Sequence, residues 1–222
     1  PEWKKEQNIF SKYQILFYPM VKLGERLFHL STQAAGLMAK VDTDNGGCPC
    51  ASASNKNLQV DSAVVDDGAA GGEILLDPQQ ANYLNSQGIV TALNFMGSFV
   101  LWGNESACFP ASTDIKDYFY PVSRMFGWVS NTIVLTFWGK LDKRLNRRLI
   151  DNICDTMNIW LNGLTAEEKI LGGRVEFRED ENPDTSLMAG KATFHVFLTP
   201  CSPAKHLHFI LEYSAEYLAA LF

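Results

Sequence analysis

The chain has 222 residues, 46% hydrophobic and 20% charged, with 19 basic and 25 acidic residues and a formal net charge of -6. That balance describes an ordinary globular protein and excludes coiled-coil, collagen-like and disordered classes. It also argues against direct nucleic-acid binding, which needs clustered positive charge. No apolar run approaches the roughly 20 residues that span a bilayer, so membrane insertion is not expected. The five cysteines (48, 50, 108, 154 and 201) form no regular framework, which fits structural thiols in a reducing compartment. A start at Pro1 without Met is read as that of a piece of a longer protein.

Residues 12–18 (KYQILFY), ended by Pro19, have the pattern of a buried strand. Leu23, Leu27, Leu30, Ala34, Leu37 and Met38 then recur at helical spacing, which predicts an amphipathic helix from about residue 23 to Lys40. The segment VDTDNGGCPCASASNKN that follows is rich in turn formers and predicts a surface loop. Asp42 and Asp44 resemble the start of a calcium loop, but Gly46 and Ala53 stand where oxygen ligands belong. Cys48 with Cys50 and His206 with His208 could supply four zinc donors, but their spacing matches no known finger. No metal ligand and no cofactor is assigned.

Residues 64–72 (VVDDGAAGG) predict a hinge, and residues 73–76 a short strand. Asp77-Pro78 supplies an N-cap and a first-turn proline for a helix to Gln87, closed by Gly88. Two apolar strands follow, at 89–93 and 98–102. Met125, Phe126, Val129, Ile133 and Phe137 then define one face of a long helix ending at Gly139. A second helix from about Lys143 directs Leu145, Leu149, Ile153, Met157 and Trp160 inward. Its first turns carry Lys143, Arg144, Arg147 and Arg148, at the end where the helix dipole already concentrates positive potential. An acidic partner surface is one reading of that cluster and a solvated face the other.

Asn162-Gly163 is expected to cap this helix, and Thr165 with Glu168 to form a capping box for a further short turn. Gly172-Gly173 should open a strand over 174–178, followed by an acidic turn (EDENP) and a strand over 192–198. Leu207, His208, Phe209, Ile210, Leu211, Glu212 and Tyr213 read as a last strand before the apolar tail 217–222. An apolar strand with little chain left to cover it pairs within a sheet or with a neighbouring subunit. The whole pattern is α/β with α+β character: a two-layer, mixed-sheet core with long amphipathic helices. No phosphate loop, nucleophile elbow, metalloprotease helix or cysteine knuckle is present, and no catalytic residue is assigned.

Residues 120–222 resemble the C-terminal region of the major tail sheath proteins of contractile-tailed phages and prophages. The segments bearing the likeness are YPVSRMFGWVSNTIVLTFW, KLDKRLNRRLIDNICDTMNIWLNGLTAEEKILGGRVEF, ENPDTSLMAGKATFHVFLTPCSPAKHLHFILEY and YLAALF. GLMAKVDTDNGGCPCASASNK and ALNFMGSFVLWGNES resemble the same family more loosely. The resemblance implies a middle portion over 1–116 and a C-terminal sheath domain over 117–222, without the family's N-terminal arm and outward-facing domains. It implies a non-enzymatic subunit of the virion tail, assembled in the host cytoplasm into ring stacks and a helical sheath. Its partners would be further copies of itself, the inner tail tube, the baseplate and the tail terminator. Residues 207–213 would be the intersubunit linking strand, and Lys143, Arg144, Arg147 and Arg148 would meet the tube or a neighbour. The alternatives are the sheath of a related bacterial injection machine, and an α/β enzyme or small-ligand protein with a crevice near residues 102–105.

Overall fold

The computed structural model describes residues 1–65 and 72–217. The predicted hinge at 64–72 and the tail 217–222 therefore fall largely outside the described residues.

A short helix α1 (Glu2–Glu6) precedes β1 (Leu16–Tyr18), β2 (Met20–Leu23) and β3 (Arg26–Phe28). The predicted helix from residue 23 is thus a hairpin in its first part. Leu23 pairs with Arg26 across Gly24-Glu25, and Gly24 adopts φ +58, a left-handed conformation that favours glycine at a tight turn. The Gly24 N–H donates to the Asp61 carboxylate at 2.6 Å, which holds the turn in place. Helix α2 (Leu30–Asp44) follows, burying Leu30, Ala34, Met38 and Val41 at the expected spacing. It runs four residues past Lys40 because Val41 is still part of the core.

After β4 (Ser62–Val65) and β5 (Gly72–Glu73), α3 (Pro78–Ser86) begins with a reciprocal capping box between Asp77 and Gln80, as its sequence predicts. Gly88 (φ +71) closes the connection, since a Cβ there would lie 2.6 Å from the Phe109 carbonyl oxygen. β6 (Ile89–Asn94) and β7 (Phe99–Trp102) form the expected adjacent pair, antiparallel, with β1 parallel to β6 on the other side. A second sheet has the order β3-β2-β4-β5.

α4 (Ile115–Tyr118) leads into α5 (Tyr120–Phe137), which buries Met125 and Val129. α6 (Arg147–Ala166) starts four residues later than predicted, because Asn146 caps it through a 2.9 Å bond from the Leu149 N–H. It also continues through Gly163, where a cap was expected. Leu164 is still buried in the core, the Thr165 hydroxyl bonds back to the Leu161 carbonyl, and the chain reverses only at Glu168, φ +58. β8 (Ile170–Glu176) contains the two glycines in its interior rather than beginning after them. α7 (Asp184–Met188) joins it to β9 (His195–Pro200), and β8 and β9 pair antiparallel as a separate two-stranded sheet.

The architecture is mixed α/β, as expected, with two hydrophobic cores. The first gathers Val21, Leu30, Ala34, Val90, Leu101 and Tyr120 beneath α2 and the three-stranded sheet. The second gathers Met125, Val129, Met157, Leu161, Ile170 and Val175 between α5, α6 and β8. Cys48, from the loop after α2, packs into the second core, and Tyr120, from α5, into the first. α1 is fastened by Lys4, whose buried ammonium donates to the carbonyls of Gln87 and Phe109. Burial lowers the Lys4 pKa below the usual lysine range.

Candidate functional site

The β8–β9 sheet has one covered face and one open face. α6 lies on the first, with Leu161 against Gly173 and Val175. On the other, the Arg174 guanidinium stacks 4.1 Å from the Phe197 ring centre and bonds Glu176, while Glu181 joins Arg178 and His195. The hydrogen bond from Arg174 is the main cause holding the Glu176 carboxyl below the usual carboxylate range, and that from His195 does the same for Glu181.

The two edges of this sheet differ. On β8, the Asn158 amide of α6 brackets Val175: the Val175 N–H donates to Asn158 Oδ1 at 2.8 Å, and Asn158 Nδ2 donates to the Val175 carbonyl at 3.2 Å. A side chain therefore stands there in place of a neighbouring strand. Since Val175 opposes Val196, that pair is not the hydrogen-bonded kind. Alternation then turns the N–H and C=O of Val196 and Leu198 to the outer edge of β9. Among the described residues no backbone group bonds to them. β9 thus offers a row of unused donors and acceptors beside the partly exposed side chains of Val196 and Leu198.

The predicted strand 207–213 forms no strand within the chain. Leu207, Phe209, Ile210, Leu211 and Tyr213 are between 73% and 96% exposed, and His208 and Glu212 are exposed beside them. A strand forms only where it pairs with an edge, and the segment pairs with no edge of the described chain, the open outer edge of β9 included. Without a strand, His206 and His208 have no common sheet face.

Of the predicted basic cluster, Lys143 and Arg144 precede α6 instead of lying in its first turn, because Asn146 occupies the cap. Arg147 is engaged within the chain, to Asp151 at 3.0 Å and Glu179 at 3.2 Å, so it is not an open cation. Lys143, Arg144 and Arg148 are exposed and make no ion pair among the described residues.

The remaining candidates have structural explanations. Asp42 accepts both arms of the Arg124 guanidinium, which occupies the carboxylate that a calcium loop would need. Cys48 is buried 3.7 Å from the Met125 sulfur, and burial first, then Cys50, pushes its thiol up to about 12. No group of three or more His, Cys, Asp or Glu suited to a metal occurs among the described residues. The crevice near residues 102–105 is a cavity of about 430 Å³ lined by Asn82, Asn85, Trp102, Glu105 and Lys205 among others. Its polar groups bond one another: Trp102 Nε1 donates to Asn82 at 3.0 Å, and Glu105 pairs with Lys205. Among the described residues, no helix is long and apolar enough to cross a membrane.

Sequence reasoning missed the β2–β3 hairpin, the Asn158 bracket and the Lys205–Glu105 pair. Gly24 within the supposed helix was the available signal for the first, whereas the other two join residues 17 and 100 positions apart.

No family model matches the chain. It is 32% identical over 214 residues to a tail sheath protein of Burkholderia phage BcepMu, a match covering 93% of this chain and 44% of that one. It is 26% identical over 190 residues to the major tail sheath protein of Serratia phage KSP20, covering 85% and 46%. Among solved structures, the sheath complex of an extracellular contractile injection system in its contracted state shares the fold. The TM-score is 0.80 at 17% identity, over 97% of this chain and 60% of that one. The chain spans somewhat under half the length of the curated relatives it matches. Within that span the chain is similar in sequence to the tail sheath proteins of these phages, and it shares the fold of a contractile injection system sheath.

Proposed function

We propose that this chain is the inner portion of a structural, non-enzymatic sheath subunit. Copies of it polymerise around the inner tail tube of a virion and contract to drive that tube through the host envelope. The observation that supports this reading is the tail sheath identity of relatives matched along 85–93% of the chain. The apolar segment 207–213 and the outer edge of β9 are the two halves of a strand-addition joint. The segment of one copy supplies the missing strand for a neighbour, and main-chain hydrogen bonds keep the subunits connected while they rotate. Residues 1–116 and 117–222 act as the middle and terminal units of the subunit, tied together by Cys48 and Tyr120. Lys143, Arg144 and Arg148 face the tube or a neighbour, and baseplate and terminator proteins bound the polymer at its ends. Assembly takes place in the host cytoplasm.

The likeness to a contractile injection system sheath favours a second setting for the same mechanism, a related bacterial injection machine. Electron microscopy tests the proposal: the full-length protein forms hollow helical tubes, and deletion from Leu207 onward leaves dispersed monomers of unchanged fold. Tubes that persist after that deletion remove the linking role from 207–213.

A further inference from the structure

The C-terminal segment leaves β9 in the second core and crosses the connection between β7 and α4 before it enters solvent. At the crossing, Lys205 Nζ pairs with Glu105 Oε1 and lies 5.4 Å from the Phe109 ring centre. Glu105 is only 1% exposed, so its carboxylate is a buried charge. Its second oxygen accepts the Asn104 N–H at 2.9 Å, which leaves Lys205 as its one cationic partner among the described residues. The backbone beneath it is hydrogen-bonded on both sides. Glu105 forms a bridge with Phe119, flanked by bonds from the Ser106 N–H to the Tyr118 carbonyl at 2.7 Å and from the Tyr120 N–H to the Asn104 carbonyl at 3.0 Å. Beyond Lys205 the picture reverses. No hydrogen bond or ion pair links residues 206–217 to the rest of the described chain.

We infer that the Glu105–Lys205 pair is the root of the C-terminal segment: it pins the chain at Lys205, so that the apolar stretch 207–213 reaches a second copy of this chain from a constant point on the body. Glu105 is a positioning residue in this scheme. A buried carboxylate stripped of its cation is strongly unfavourable, so the root holds while the exposed segment beyond it swings. The pair also places the segment's origin on the connection between β7 and α4 although β9 belongs to the second core. An arm fixed in this way transmits the orientation of the whole subunit to its neighbour. The assembly consequence rests on the linking role of 207–213; the pinning itself does not.

Limited trypsin digestion of the full chain tests the root, because Lys205 is itself a cleavage site and Lys191, in the loop before β9, is an internal reference. In Glu105→Gln the Lys205 side chain is released, and cleavage after Lys205 relative to Lys191 is expected to rise roughly tenfold. An unchanged ratio overturns the inference, and a rise at both sites together reports unfolding instead. In that event Lys205→Met decides the matter by ¹⁵N relaxation of His206 and Leu207. Order parameters should fall below about 0.6, and values equal to wild type overturn the inference. The concentration needed for tube formation should rise roughly tenfold in Glu105→Gln, since the strand must be captured from a wider ensemble. If the wild-type protein forms no tubes, the linking role fails and the cleavage ratio still decides the root. If tubes form and the ratio does not move, the root alone fails.

Discussion

The two sheets nearest the cores were built to different degrees of completion. β6 has a neighbour on each side, and Val90, Thr91 and Ala92 are buried on both faces. The β8–β9 sheet has two strands, one face on α6, one face of paired charges, and one edge bracketed by Asn158 rather than by a strand. An isolated two-stranded sheet is marginal in water, and here a helix and an amide side chain support it. The difference teaches where the chain is finished within itself and where it waits for another. The central strand β6 needs nothing further, whereas the outer edge of β9 and the bare segment 207–213 are complementary in chemistry and unused within the single chain.

Four perturbations break or sharpen that contrast. The largest concern the cores. Leu101→Ala and Leu161→Ala each remove a fully buried side chain, one per core, and should each cost about 3–5 kcal/mol in denaturant unfolding. A much smaller cost for Leu161 would mean that the second core is looser than its packing implies. Asn158→Ala comes next. It strips two hydrogen bonds from the Val175 backbone and should cost about 1–2 kcal/mol by the same measurement. It also opens the β8 edge, so sedimentation should show self-association at lower protein concentration than wild type.

Combined replacement of Lys143, Arg144 and Arg148 by alanine should change stability by less than about 0.5 kcal/mol, since none of them has an ionic partner among the described residues. The same variant should weaken tube assembly if these cations face the inner tube or a neighbour. The smallest effect is that of acid. Glu176 and Glu181 have lowered pKa values, so their stabilising contribution is complete above the usual carboxylate range and is lost as pH falls through the lowered folded values. Nuclear magnetic resonance of the turn between β8 and α7 should loosen between about pH 5 and pH 2 while the β6 signals stay unchanged.

Much of this was legible along the chain because local rules decide it. The capping box at Asp77, the apolar faces of α2, α5 and α6, and the paired strands β6 and β7 all follow from residues a few positions apart. The apolar character of 207–213 was equally plain, and so was the absence of catalytic patterns. Tertiary structure decided the rest. Leu23 and Leu27 fit a helical stripe as well as a hairpin, and the pairing of β2 with β4 selects the hairpin. Gly163 looked like a stop, yet burial of Leu164 carries α6 past it. The strand reading of 207–213 is not realised in one chain, because strand formation depends on docking against an edge, and the segment runs apart from the open edge of β9. Arg147 and Arg148 are adjacent in sequence, and Asp151 one turn on together with Glu179, which folding brings near, satisfies Arg147 and leaves Arg148 open. The physical reason is common to all these cases: periodicity records which side chains avoid water, whereas hydrogen-bond partners and counter-charges come from residues that only folding brings near.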